Sequence, residues 1–374
     1  MRKHMILFDM DGVLLIPGGY SEALKSSVAR IGLALGMPFT GLTEDHIARF
    51  EALSITNEWD TLAICTALIL LSVWQSNPKV RLNSLAPIRE IYSDQPPDYD
   101  GFLDTFSNVG SLPTCSAYEK IIKENSLLDE SLRSALKSLL FNARDIYQSP
   151  VLKYHQETVL GSESFQVNYQ LLPQMGVKSY LLEYDRPALS TPQYHSLQTW
   201  MLHDNHKTGI MTNRPSRTPQ GYLSSPEAEL GAKLVGLSEL PLLGSGLLGW
   251  FAVMHCQLPD HTFLKPNPVH ALALMQMCYA EPANKSLQLA YDLWQGVGEK
   301  KDWIKFHNTQ ITIIEDAVKG FESGLNSRAL LAKNDVDIDL KLIGVSINAI
   351  KKAALQRVAD QVYSDINDVN WDTL

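Results

Sequence analysis

Four short, largely apolar runs, each cut off by polar residues, constrain this chain more than any other feature. They are Met5–Phe8 before Asp9-Met10-Asp11-Gly12, Thr208–Met211 before Thr212-Asn213, Ile311–Ile314 before Glu315-Asp316, and Leu342–Val345 before Ser346. An apolar run of this length without polar alternation suits a strand buried on both faces, as in parallel sheets covered by helices. In open α/β sheets ligands gather outside the carboxyl ends of the strands, so the four polar ends should converge on one crevice. The expected fold class is therefore α/β, built on a parallel-sheet core.

The runs are unevenly spaced. Between the first and second, residues 21–200 show helical periodicity in Glu22–Leu35, Ile47–Ile55, Thr61–Trp74 and Leu128–Tyr147, with little strand signal. Ser93-Asp94-Gln95-Pro96-Pro97 and Arg186-Pro187-Ala188-Leu189-Ser190-Thr191-Pro192 punctuate this region and read as surface loops. A chain of 374 residues exceeds one ordinary domain, so a large insertion is in keeping with its length. The expectation is a core of residues 1–16 and 200–374 carrying an all-helical domain at 17–199. A second irregular stretch, Pro215–Leu247, is rich in Gly, Ser and Pro and interrupts the core with no legible role.

Composition narrows the partners. A net charge of −9 disfavours nucleic acid and anionic membrane, which attract clustered Lys and Arg. Cys65, Cys115, Cys256 and Cys278 lack any C-x-x-C spacing, so they read as free thiols rather than zinc ligands or a disulfide framework. The apolar stretch at the N-terminus is too short for a signal sequence, and Leu62–Trp74 is too short to span a bilayer and reads as a buried helix. These features predict a cytoplasmic protein acting on a small molecule.

The polar ends carry chemistry. Asp9 and Asp11 sit two residues apart in a turn, where both carboxylates can face one crevice. A carboxylate attacks phosphorus well when a cation screens the repulsion, and a second carboxylic acid can protonate the leaving oxygen. A calcium loop is excluded because no third Asp precedes Gly12 and Tyr20 stands where the terminal Glu is needed. Thr212 and Asn213 offer a hydroxyl and backbone N–H groups of the kind that hold phosphate oxygens. Lys265, followed by Pro266 and a helical pattern from Val269 to Tyr279, offers an ammonium that could neutralise Asp9 and phosphate together. Glu315 and Asp316 would join Asp9 in holding a hard divalent cation.

Taken in order, Asp9-Met10-Asp11-Gly12, Thr212, Lys265 and Glu315-Asp316 resemble the four motifs of the haloacid dehalogenase-like hydrolases. The resemblance covers residues 1–16 and 200–374. It implies a three-layer, Rossmann-like core with a helical cap inserted after the first motif, as in the β-phosphoglucomutase-like and phosphoglycolate phosphatase-like branch. It implies a phosphatase that uses Mg²⁺ and an aspartyl-phosphate intermediate on a small phosphorylated metabolite. Asp9 would be the nucleophile and Asp11 the general acid and then base. Thr212 and Lys265 would stabilise phosphate, and Asp9, Asp11 (through its backbone carbonyl), Glu315 and Asp316 would surround the metal. The alternatives are a phosphomutase of the same fold and a degenerate member acting as a binding protein; a dehalogenase would have no use for Asp11. Two departures stand out, a cap larger than usual for that branch and a longer stretch from Thr212 to Lys265. Within the cap, Asn57-Glu58-Trp59-Asp60 resembles a segment of some members, making Asn57, Trp59 and Asp60 candidates to face substrate, with a capped helix start as the competing reading.

Overall fold

The structure is a computed structural model that describes residues 2–53, 55–82, 85–87, 89–107, 112–126 and 128–374. The chain falls into two compact units, one of Met1–Pro17 with Asp185–Leu374 and one of Gly18–Tyr184.

The first unit is built on a sheet. Its strands, numbered along the chain, are β1 (His4–Phe8), β2 (Leu15–Ile16), β3 (Arg186–Pro187), β4 (His206–Met211), β5 (Leu242–Leu243), β6 (Gln310–Glu315), β7 (Asp339–Val345) and β8 (Gln361–Tyr363). Six of them form one sheet in the order β5-β4-β1-β6-β7-β8, with every neighbouring pair parallel. The four apolar runs are thus β1, β4, β6 and β7, each a residue or more longer than the run that announced it. Side chains alternate between two buried layers: Met5, Leu7, Ile311, Ile313 and Leu342 enter one core, and Ile6, Phe8, Ile314, Ile343 and Val345 the other. Burial of both faces explains why these strands read as unbroken apolar runs. The sheet is therefore the middle of three layers.

Two sequence expectations change here. The segment from Arg186 to Pro192 is not simply a surface loop: Arg186 and Pro187 pair antiparallel with Ile16 and Leu15, so the chain leaves the core and returns to it side by side. The expected second boundary at 199/200 moves to 184/185, because Leu189, Leu197 and Trp200 are buried with Ile6, Phe8 and Trp371 in one core of the sheet unit. The irregular stretch Pro215–Leu247 contains a helix, Glu227–Leu234, and β5, the edge strand paired with β4.

In the second unit the described residues form helices and loops only. The helices are α1 (Gly19–Ala34), α2 (Glu44–Ala52), α3 (Glu58–Ser76), α4 (Tyr99–Thr105), α5 (Pro113–Glu124), α6 (Glu130–Phe141), α7 (Leu152–Leu160), α8 (Ser162–Tyr169) and α9 (Tyr180–Tyr184). The four expected helices are α1, α2, α3 and α6; Ser54, within the expected span of the second, lies outside the described residues. The last expected helix stops at Phe141 rather than Tyr147, because the Asp145 carboxylate accepts from the backbone N–H groups of Tyr147 and Gln148 at 2.8 and 3.2 Å and bends the chain. Helix α3 has the length and apolarity to cross a membrane, but 72% of its apolar window is buried inside the protein, as a core helix would be.

Candidate active site

The register of the sheet brings the polar ends together. Phe8 lies level with Ile210 on one side and Ile314 on the other, so Asp9, Thr212 and Glu315 follow at the same edge. The Asp9 N–H donates to the Ile314 carbonyl at 2.9 Å, and that of Thr212 to Leu243 at 3.1 Å. One carboxylate oxygen each from Asp9, Glu315 and Asp316 lies within 4.8 Å of the others. Lys265 comes from the loop ahead of helix Pro268–Met277, which Asn267 caps. Its loop is clasped by the helix after β6 (Val318–Ala332), where Ser323 donates to Asn267 O at 2.8 Å and Asn326 to Pro266 O at 3.3 Å. The Lys265 ammonium then sits 2.5 Å from both Asp9 and Glu315.

Two glycines allow this crowding. Gly12 has φ +78°, and a Cβ on it would meet Asp316 Oδ2 at 2.7 Å. Gly320 would place a Cβ 1.8 Å from Glu315 Oε1 and 2.0 Å from its Cδ, so the Glu315 side chain lies directly on the helix backbone.

The buried Lys265 ammonium is shared by two buried carboxylates, and the balance shows in their protonation. Burial first, then the negative charges of Asp316 and Asp11, push Asp9 up to about 6 against the pull of Lys265. Burial and the Asp9 charge push Glu315 up to about 8, again against Lys265. Burial disfavours the Lys265 ammonium, yet the attraction of Asp9 and Glu315 outweighs it and the net shift is upward. The directions agree on one point: the lysine stays charged while its two buried partners are held short of full ionisation. Such an all-oxygen set with surplus negative charge fits a small hard cation such as Mg²⁺. His270 is buried beside this group, its Nε2–H donating to Leu243 O at 3.0 Å; burial and then Lys265 lower it to about 3, so its imidazole is neutral.

The Asp11 carboxylate is not part of the three-acid cluster. Arg214 grips it instead, with Nε 2.8 Å from Oδ2 and Nη2 also on Oδ1. The same Nη2 lies 2.9 Å from Asp185 Oδ2, and the side chains of Arg214 and Asp185 are 2% and 1% exposed. Arg214 was not singled out by sequence. It stands directly after Thr212 and Asn213, but a single arginine in a turn ordinarily reads as a solvated charge, and its partners are remote in sequence. Lys351, 2.5 Å from Asp316, was missed for the same reason.

The other expected site residues separate. Thr212 is buried and its hydroxyl accepts from the Arg214 N–H at 3.1 Å, while Asn213 is exposed. In the helical unit Asn57 caps α3 through the Trp59 N–H at 2.8 Å, as the competing reading of that segment had it. Asp60 is 1% exposed and paired with Arg144, whose Nε and Nη2 lie 3.0 and 2.7 Å from its oxygens; Trp59 is half-buried.

Comparison with known proteins finds no matching family model and no matching curated protein. Among solved structures, an X-ray structure from the Northeast Structural Genomics Consortium matches with TM-score 0.66 at 16% identity, over 98% of this chain and 97% of that one. The phosphatase Tt82 from Thermococcus thioreducens gives TM-score 0.47 at 13% identity, over 94% of this chain and 99% of that one. A β-phosphoglucomutase from the archaeon Pyrococcus sp. strain ST 04 gives 0.32 at 12% identity, over 99% and 96%. At these identities the likeness is one of fold. The match at TM-score 0.66 is to a whole chain, and it agrees with a parallel sheet covered on both faces that carries a helical insertion between β2 and β3.

Proposed function

We propose that the chain is a Mg²⁺-dependent phosphohydrolase of the haloacid dehalogenase-like superfamily, acting on a small phosphomonoester. The observation that carries this reading is the packing of Asp9, Glu315 and Asp316 within 4.8 Å of one another, with Lys265 at 2.5 Å from two of them. Asp9, Glu315 and Asp316 would hold the cation, which screens the approach of phosphate to a carboxylate.

In the first step an Asp9 oxygen attacks phosphorus, and the bond from phosphorus to the ester oxygen breaks. Asp11 donates its proton to that leaving oxygen. In the second step Asp11 takes a proton from water, the water oxygen attacks phosphorus, and the bond to Asp9 breaks, restoring the carboxylate. Lys265 neutralises charge on Asp9 and on the phosphoryl oxygens, and Thr212 and Asn213 hold those oxygens. The helical unit, inserted through the paired strands β2 and β3 four residues beyond Asp11, is proposed to act as a cap that selects the substrate, with half-buried Trp59 contacting its non-phosphate part while buried Asp60, paired with Arg144, only supports it.

Phosphate release from a panel of phosphomonoesters tests the reading. Wild type should turn over with Mg²⁺ and stop on chelation, and Asp9→Asn should lose at least about 10⁴-fold. Turnover by Asp9→Asn, or full activity in excess chelator, would overturn it.

A further inference from the structure

The geometry points to Arg214, braced by Asp185, as the positioning residue that orients the Asp11 carboxyl for proton transfer. This deepens, and rests on, the proposed phosphohydrolase reading.

Arg214 is fixed at both ends. Its backbone N–H donates to Thr212 Oγ1 at 3.1 Å, and its carbonyl accepts from Ser245 N at 2.9 Å. Close approach of the next loop requires glycine there: a Cβ on Gly244 would lie 2.7 Å from Arg214 O, and one on Gly246 2.0 Å from Ser216 O. The Pro215–Leu247 stretch, whose sequence suggested no role, thus clamps the turn that carries Arg214. At its far end the guanidinium meets both Asp11 oxygens and Asp185. Asp185 is the first residue of the sheet unit after the insertion and is nearly inaccessible.

Asp11 itself is half exposed beside the turn at Gly12–Leu14, so burial alone does not fix its carboxyl. A planar fork with two contact points fixes it, which a lysine ammonium does not. Asp185 supplies the second anchor that keeps the guanidinium plane aligned. Arg214 acts through Asp11 and makes no bond to the reacting atoms.

The test compares kcat/KM for an alkyl phosphate and for 4-nitrophenyl phosphate, whose leaving group departs without a proton. This ratio reports formation of the acyl phosphate. Arg214→Lys retains the buried charge opposite Asp185 and loses the fork. Its alkyl kcat/KM should fall about tenfold more than its aryl kcat/KM. In an Asp11→Asn background, Arg214→Lys should add no further alkyl-selective loss, because the residue it orients is already disabled. Asp185→Asn, which keeps the shape of the buried side chain, should show a smaller loss of the same alkyl-selective kind. Equal losses on the two esters in both single variants, or an undiminished effect of Arg214→Lys beside Asp11→Asn, would overturn the inference. If Arg214→Lys fails to fold, Asp185→Asn decides on the same ratio. Absence of Mg²⁺-dependent turnover in wild type would instead overturn the phosphohydrolase reading.

Discussion

The two units bury charge in different ways, and the contrast separates structure from chemistry. In the helical unit the buried Glu157 carboxylate accepts from Ser162 Oγ at 2.6 Å and from the N–H groups of Gln174, Met175 and Gly176 at 2.8, 2.9 and 3.3 Å. Asp60 has its own guanidinium partner in Arg144. Each acid there is answered locally and holds a loop or helix in place. At the sheet end, one buried ammonium is shared between Asp9 and Glu315 while Asp316 turns to the half-exposed Lys351. Folding alone gives no reason to gather three acids there, since uncompensated buried charge is costly. A site with surplus charge is one that awaits a ligand, and buried residues at odds with stability are the ones to assign to function.

The pH dependence of metal binding offers the largest way to break this comparison. Asp9 and Glu315 are raised to about 6 and about 8 in the folded protein, above the ordinary carboxylate range. From the unfolded values near about 4 up to those folded values, the folded state binds more protons than the unfolded chain, so metal-free stability falls as pH rises through the window. Mg²⁺ binds the charged carboxylates, so its stabilisation grows over the same window. Saturating Mg²⁺ should raise Tm more at pH 8 than at pH 5, by on the order of 5 °C. Glu157→Gln should lower Tm yet leave that Mg²⁺ increment unchanged. An increment equal at both pH values would contradict the surplus-charge account; one abolished by Glu157→Gln would erase the distinction between the units.

A smaller effect sharpens the contrast at one atom. Gly320→Ala should improve the helix by up to about 1 kcal/mol of intrinsic propensity, yet it forces Glu315 off the helix backbone, since the new Cβ would lie 2.0 Å from Glu315 Cδ. Mg²⁺ affinity, followed by calorimetric titration, should weaken about tenfold, roughly 1.4 kcal/mol, while the thermal stability of the metal-free protein changes little. Unchanged affinity would show that the position of Glu315 does not matter to the cation.

How much of this was legible follows the same division. The four strands could be read because burial on both faces writes an apolar run, and the acids could be read because they stand directly at the strand ends. Asp9, Lys265, Glu315 and Asp316 come together in the structure. Arg214 and Asp185 escaped because their value lies in a contact that no spacing announces. In the helical unit α7 buries His155, Gln156, Glu157 and Thr158 alongside its apolar residues, so the apolar stripe that marks a helix is absent. The edge strand β5 is two residues long, too short to show any period.

Trapping the covalent intermediate tests the central claim most directly. Wild type mixed with a radiolabelled phosphomonoester and Mg²⁺, quenched in acid within one turnover and digested, should yield one labelled peptide containing Asp9, and borohydride reduction before digestion should convert that residue to homoserine. Turnover without label on Asp9, or label on another residue, would contradict the account.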